Sequence, residues 1–188
     1  MNRNSQAILD ELLVLKCRRG DSAAWRELVE RYQPRLFYFI RRLVDEERDA
    51  WDVLQQTWLT ALKGLRDLRE PRALRTWLYR IARNQAALRL RQAGREAMRV
   101  NDEVLNELPE EEPETDDEPW PPDAAGRLHV CLGELSLPHR EVLTLHFLED
   151  LSVEEVAAIT GAAPGTVKSR LYYAKRALRE ALEDRVQP

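Results

Sequence analysis

The chain has 188 residues, 33% of them charged and 44% apolar, with only seven glycines and a formal net charge of −4. That length suits one ordinary domain or two small ones, and the composition is that of a largely helical soluble protein. Two distant cysteines, Cys17 and Cys131, exclude a disulfide scaffold. No apolar run nears the roughly 20 residues of a membrane span, and no signal core follows Met1, so no membrane insertion and a cytoplasmic location are expected.

The spacing predicts four helices in the first hundred residues. The first runs from Ser5 to Arg19, with Ile8, Leu12 and Leu15 on one stripe, and stops at Gly20. Asp21 caps a second helix to Val44, carrying Trp25, Leu28, Val29, Tyr32, Leu36, Phe39, Ile40 and Leu43; Pro34 inside it should kink it. A third starts at Asp45, points Val53, Leu54, Trp58 and Leu62 inward, and ends near Gly64. After a loop over Leu65–Glu70, Pro71 suits the first turn of a fourth helix reaching Gly94.

That fourth helix carries the strongest charge signal. From Arg72 to Val100 there are eight arginines against one acid, Glu96. Placed at about 100° per residue, Leu74, Trp77, Leu78, Ile81 and Leu88 face the core. Arg72, Thr76, Tyr79 and Arg83 point outward, flanked by Arg75 and Arg80, with Asn84 and Arg91 near the boundary. A basic helix bearing aromatics fits a polyanion, charge attracting and rings stacking. Tyr79 is a better stacking candidate than Trp77, and Asn84 suits either a base edge or a polar bond between helices. The preceding loop could shape a pocket for an unstacked base.

Residues 101–123 hold 11 acids, no base, and Pro109, Pro113, Pro119, Pro121 and Pro122. Proline and like-charge repulsion predict an extended linker between a domain over 1–100 and another over 124–188. The remainder of the chain is net positive, so the acidity belongs to this segment.

Beyond it, helices are expected at Arg127–Leu135 and Pro138–Leu148. Ser152-Val153-Glu154-Glu155 is a capping box that opens a short helix to Thr160. A Gly161-Ala162-Ala163 turn follows, and Pro164 begins a last helix to Asp184. A short helix, a tight turn and a longer basic helix make a helix-turn-helix. On the last helix Val167, Leu171, Ala174 and Leu178 form the core stripe. Opposite or beside it lie Thr166, Lys168, Ser169, Arg170, Tyr172, Tyr173, Lys175, Arg176 and Arg179, with no acid until Glu180. Such a face suits the major groove, because Arg and Lys reach guanine edges or phosphates while Ser and Thr let the backbone approach. The fold class is all-α, two small helical domains, with no strand pattern.

In order along the chain, these residues resemble the extracytoplasmic-function sigma factors of the sigma-70 family, promoter-recognition subunits of bacterial RNA polymerase. The resemblance is carried by Gly20–Trp25, Arg31-Tyr32, Arg41–Val44 and Asp49–Thr57, then by Arg75–Asn84, Leu135–Leu143 and Gly165–Leu171. It implies a first domain that binds the polymerase clamp through Asp52, Leu54, Gln55, Gln56 and Trp58. It also implies that Arg72, Arg75, Thr76, Tyr79, Arg80, Arg83, Asn84 and Arg91 melt and read the −10 element. The helix-turn-helix would read the −35 element through Thr166, Lys168, Ser169, Arg170, Tyr172, Tyr173, Lys175 and Arg176, and would contact the flap. The linker would run toward the RNA exit path, as a nucleic-acid mimic or as a passive tether. An anti-sigma factor holding both domains is the further implied partner. The chain departs from the family pattern at Gln56 (usually Glu), Trp51 (usually an acid) and Tyr172-Tyr173 (commonly His and a base). We expect the two phenols to alter the −35 preference.

Two other readings compete. A stand-alone helix-turn-helix regulator would need no clamp-binding helix and would commonly dimerise on a palindrome. A metal-dependent nuclease would need acids at fixed spacing, which those of the linker lack. His129-x-Cys131 is too small a set for zinc. No cofactor and no enzymatic activity are expected.

Overall fold

The computed structural model describes residues 3–94 and 124–183; the acidic stretch 101–123 and Arg95, Glu96 and Arg99 of the basic run lie outside the described residues. Four helices come first: α1 (Arg3–Arg18), α2 (Ser22–Leu43), α3 (Glu47–Gly64) and α4 (Leu74–Gln92), with 3-10 turns at Leu65–Asp67 and Pro71–Ala73 before α4. Four more follow: α5 (Ala124–Glu134), α6 (Leu137–Leu143), α7 (Val153–Thr160) and α8 (Pro164–Glu183). A π-helical turn at Thr144–Leu148 extends α6. Among the described residues there is no strand, and no helix is long and apolar enough to cross a membrane.

Local chemistry sets the helix ends. The Asp21 carboxylate accepts from the amides of Ala23 and Ala24 at 2.9 and 3.1 Å, which satisfies donors that the first turn of α2 leaves free. The helix runs through Pro34 and stops where Val44 turns extended. At the other end of the chain, Ser152 Oγ accepts from the Glu155 amide at 3.2 Å while Glu155 Oε2 accepts from the Ser152 amide at 2.8 Å. This closes the expected capping box. Gly161 ends α7 at a φ of 74°, a conformation that costs other residues a Cβ clash, and so makes the sharp turn into α8.

Burial, not propensity, holds these short helices in place. In the first module Leu28, Leu36, Phe39 and Ile40 of α2 meet Val53, Leu54 and Ala61 of α3 and Leu74, Leu78 and Ala82 of α4, all buried. Each such large side chain contributes roughly 1.5–3 kcal/mol. Gly64 lets α4 approach, because a Cβ there would sit 3.1 Å from the Trp77 ring. Trp77 is half-buried against the core. In the second module Leu132, Val142, Leu145, Val156 and Ile159 close on the Val167, Leu171, Ala174 and Leu178 stripe of α8.

Four details differ from the sequence pattern. The stripe Ile8, Leu12 and Leu15 is exposed, and α1 docks instead through Leu13, Val14 and the buried Asp10. The reason is Tyr32: its hydroxyl donates to Asp10 Oδ2 at 2.6 Å, turning that face of α1 inward. Leu62 and Leu88, expected in the core, are 57% and 46% exposed, each lining an open groove instead of a packed interior. The helix expected to run straight to Leu148 widens from Thr144 onward, with the Glu149 amide reaching back to the Thr144 carbonyl. Lastly, the modules do not stand apart. Helices α2 and α4 pack directly on α6 and α7.

Candidate nucleic-acid interface

The basic face of α4 divides in two. Arg72, Arg80, Asn84 and Arg91 are exposed. Arg72 donates from Nε to Glu11 Oε2 at 2.9 Å, and Arg91 reaches the carbonyl of Ala87 at 3.3 Å. Arg75, Thr76 and Arg83 are only half-exposed, because the second module covers them. Arg83 Nε donates to Glu141 Oε1 at 2.6 Å, and Thr76 Oγ1 lies 3.4 Å from Glu155 Oε1.

Tyr79 is a correction. The wheel points it outward as a stacking platform, yet it is fully buried. Its ring meets Phe39 edge-on, centroids 5.3 Å apart. Burial, followed by the neighbouring Glu149 carboxylate, holds its hydroxyl well above the usual phenol range. Phe39 of α2 on one side and Glu149 of the second module on the other enclose it, which a wheel of α4 alone cannot register.

Glu149 is the centre of this interior. Its side chain is 4% exposed, with Oε2 2.9 Å from Arg35 Nε and 3.9 Å from Arg75 Nη2. Burial of two charges costs several kcal/mol per ion unless geometry and hydrogen bonding are good. Here the geometry is only partly good: Nε and Nη2 of Arg75 are buried without a hydrogen-bond partner.

On α8 the face opposite the core keeps Lys168 and Arg176 exposed and Thr166, Ser169, Tyr172, Tyr173 and Lys175 partly so. Tyr172 and Tyr173 meet edge to face at 5.2 Å. Lys175 lies over the Phe147 ring at 5.1 Å, and Arg176 pairs with Glu180 one turn on at 3.1 Å. Arg170 is the second correction. It is 3% exposed, inside the module beside Glu141 and His139 rather than on the outer face. The α6 side of the bundle covers it, which a wheel of α8 alone cannot register.

On α3, Asp52, Gln55 and Gln56 are exposed and border an open groove of about 380 Å³ shared with Gln85, Leu88, Arg89 and Gln92 of α4. Leu54 is the third correction: at 2% exposure it is core and offers no contact surface. Trp58 is half-buried, its ring edge-on to Trp25 at 6.0 Å. Trp51 is 48% exposed and stacks on Phe37 at 4.1 Å, which adds an aromatic shelf to this face. Among the described residues no group of three His, Cys, Asp or Glu side chains could hold a metal.

The residues that sequence reasoning missed are the acids facing α4. Glu141 carried a signal: it stands between Leu137 and Leu145 at helical spacing, an acid on an apolar stripe. Glu149 carried none, because the π turn that places it has no pattern in the sequence.

Comparison with known proteins accords with this arrangement. The Sigma-70 region 2 family matches residues 28–96, and the Sigma-70, region 4 family matches residues 125–178. The RNA polymerase sigma-H factor of Pseudomonas aeruginosa is 34% identical over 185 residues, covering 93% of this chain and 94% of the relative. The ECF RNA polymerase sigma-E factor of Escherichia coli strain K12 is 34% identical over 192 residues, covering 98% and 97%. Among solved structures, CnrH in complex with the cytosolic domain of CnrY is similar at a TM-score of 0.67 with 26% identity, over 94% of this chain and 98% of that one. The sigma factor RpoE in complex with the anti-sigma factor NepR, from Bartonella quintana, is similar at 0.65 with 26% identity, over 85% and 96%.

Proposed function

The chain belongs to the extracytoplasmic-function sigma factors of the sigma-70 family, and we propose how its two modules divide the work of directing core RNA polymerase to promoters. Residues 1–100 hold the clamp and open the −10 element; residues 124–188 read the −35 element and touch the flap; residues 101–123 join them. The observation that carries this reading is a pair of basic helix faces in one chain, that of α4 and that of α8.

On α4, Arg72, Arg75, Arg80, Arg83 and Arg91 supply phosphate attraction, and Thr76 and Asn84 supply hydrogen bonds to a separated strand. On α8, Lys168, Lys175 and Arg176 anchor the backbone of the duplex while Thr166, Ser169, Tyr172 and Tyr173 meet base edges. Asp52, Gln55 and Gln56, with Trp58 behind them and the Trp51–Phe37 shelf beside them, form the clamp surface. On this reading the protein positions the polymerase rather than performing chemistry of its own, and works where the polymerase does, in the cytoplasm. The complex of the similar sigma factor RpoE with the anti-sigma factor NepR, and that of CnrH with CnrY, support control of this chain by an anti-sigma partner.

Transcription in vitro with core polymerase, sequencing the 5′ ends, tests the reading. Starts should fall at a fixed distance from a shared pair of upstream elements. Start sites identical to those of core polymerase alone would overturn it.

A further inference from the structure

Between α3 and α4 the chain crosses residues 65–73 with only two 3-10 turns, too short to fix a shape by their own hydrogen bonds. Leu65 and Leu68 are buried, whereas Arg66, Asp67, Arg69 and Glu70 face solvent. Read from sequence, this loop shapes a pocket for an unstacked base. Leu68 is extended, with φ −63° and ψ 104°, so its carbonyl leaves the helical ladder and needs a donor from elsewhere. That donor comes from α1. The Arg18 guanidinium donates from Nη2 to the Leu68 carbonyl and from Nε to the Leu65 carbonyl at 3.4 Å, across 50 and 47 residues of sequence. One planar fork thereby spans both ends of the first turn. Two helical turns earlier on the same side of α1, Glu11 Oε2 accepts from Arg72 Nε at 2.9 Å, where the loop meets α4. Helix α1 is itself fixed on α2 by Leu13, Val14 and the Asp10–Tyr32 bond. It therefore grips the loop at both ends and leaves Arg66 and Arg69 turned to solvent.

We propose that Arg18, seconded by Glu11, is a positioning residue for opening the −10 element: its fork on the Leu65 and Leu68 carbonyls sets the shape of the 65–73 loop before a base leaves the duplex, and it touches no DNA itself. The proposal rests on the reading of this loop and α4 as the strand-opening elements. A loop ordered during folding does not have to be ordered again when the base arrives, so the entropy cost of capture falls. Charge alone does not serve this purpose. Lys16 carries the same charge two residues away, but two residues turn a helix by about 200°, which leaves it exposed on the other side of α1.

The test follows the loop and the DNA strand separately. Hydrogen–deuterium exchange on the full chain reports the peptide spanning 65–73. Arg18→Ala should speed its exchange by about tenfold, the effect of losing one charge-assisted hydrogen bond, and leave peptides of α2 and α8 unchanged. Arg18→Lys keeps the charge without the fork and should fall between. Lys16→Ala removes the same charge from the far side and should change nothing. The second arm uses holoenzyme on a promoter recovered by 5′-end sequencing, with 2-aminopurine in its −10 element. Arg18→Ala should slow the fluorescence rise of base unstacking by about tenfold, while closed-complex affinity in gel shifts stays within about twofold. Arg18→Lys should restore part of the unstacking rate. If Arg18→Ala does not fold by circular dichroism, Arg18→Lys and Glu11→Gln decide both arms. Loop exchange that none of these substitutions alters overturns the proposal, whatever unstacking does. Equal losses in Lys16→Ala and Arg18→Ala overturn it in favour of charge alone. A loosened loop with unstacking at the wild-type rate overturns the positioning role and places the failure in the strand-opening reading of the loop.

Discussion

Arg83 on α4 and Glu141 on α6 meet at 2.6 Å, the guanidinium side chain 21% exposed and the carboxylate 4%. One is a candidate strand contact and the other an acid on an apolar stripe, so the same pair joins the two modules and covers part of the candidate site. Burial pushes the Glu141 carboxyl above its usual 4.5, with Arg83 and then Arg170 opposing. A raised carboxyl pKa in the folded chain means that the protonated form is favoured there. Its stabilising contribution is complete below about 4.5 and is lost as pH rises through the folded value. His139 works in the opposite sense: burial and Arg170 lower its pKa, so its contribution is lost as pH falls. Subtracting the melting temperature of Glu141→Gln from that of the wild type isolates the first effect. The difference should move against the wild type between about pH 4.5 and neutrality; a difference that does not vary with pH contradicts the assignment.

Arg170 and Lys168 lie two residues apart on α8 with opposite environments, one buried and one exposed. Arg170→Ala should act on stability, costing about 3 kcal/mol because it leaves Glu141 with one cation fewer in a buried setting. Lys168→Ala should leave stability within about 0.5 kcal/mol and reduce the salt slope of −35 binding by about one. Urea melts beside salt-dependent gel shifts of the holoenzyme check both. Equal effects of the two substitutions on both measurements would refute the distinction.

Leu54 and Gln56 provide the same contrast on α3. Leu54→Ala removes a 2%-exposed side chain and should destabilise the fold by about 2–5 kcal/mol. Gln56→Ala should leave the melt unchanged yet weaken core polymerase binding, read by fluorescence anisotropy with labelled sigma factor. Full retention of polymerase affinity in Gln56→Ala, Gln55→Ala and Asp52→Ala together would remove this face from the clamp surface.

Asp10 and Tyr32 form the buried polar tie between α1 and α2, at 2.6 Å. Arg31 adds a longer contact to the same carboxylate at 3.7 Å. Burial and Asp10 raise the Tyr32 hydroxyl well above the usual phenol range, so it remains a donor at any ordinary pH. Asp10→Ala should cost about 2–3 kcal/mol in urea unfolding, since it strands a buried hydroxyl. Asp10→Ala/Tyr32→Phe should cost less than the two single losses added together. Strict additivity would show that the tie carries no coupling.

Much of this molecule is written locally. Asp21, the Ser152–Glu155 box, Gly161 and Pro164 act on backbone groups a few residues away, so the ends of α2 and α7 and the turn into α8 are legible without any tertiary information. The stripe Val167, Leu171, Ala174, Leu178 is equally local, because a helix with one apolar side has one way to bury it. The basic character of α4 and α8 and the ordered motifs that mark the family also come from residue order alone.

What the tertiary structure decided is which outward faces stay outward. A wheel places a residue relative to its own helix and says nothing of a second module arriving on the other side. Tyr79 is closed in between Phe39 of α2 and the second module's Glu149, Arg170 is covered by α6 of its own module, and Leu62 and Leu88 stay exposed. Glu149 depends on a π turn, a backbone register that no hydrophobic period encodes, and its charge matters only because Arg35 and Arg75 arrive from distant parts of the chain. Charge on a helix is a property of sequence. Whether that charge meets solvent, a strand of DNA or a carboxylate of the same chain is set by packing, because only packing brings groups more than fifty residues apart within 3 Å of each other.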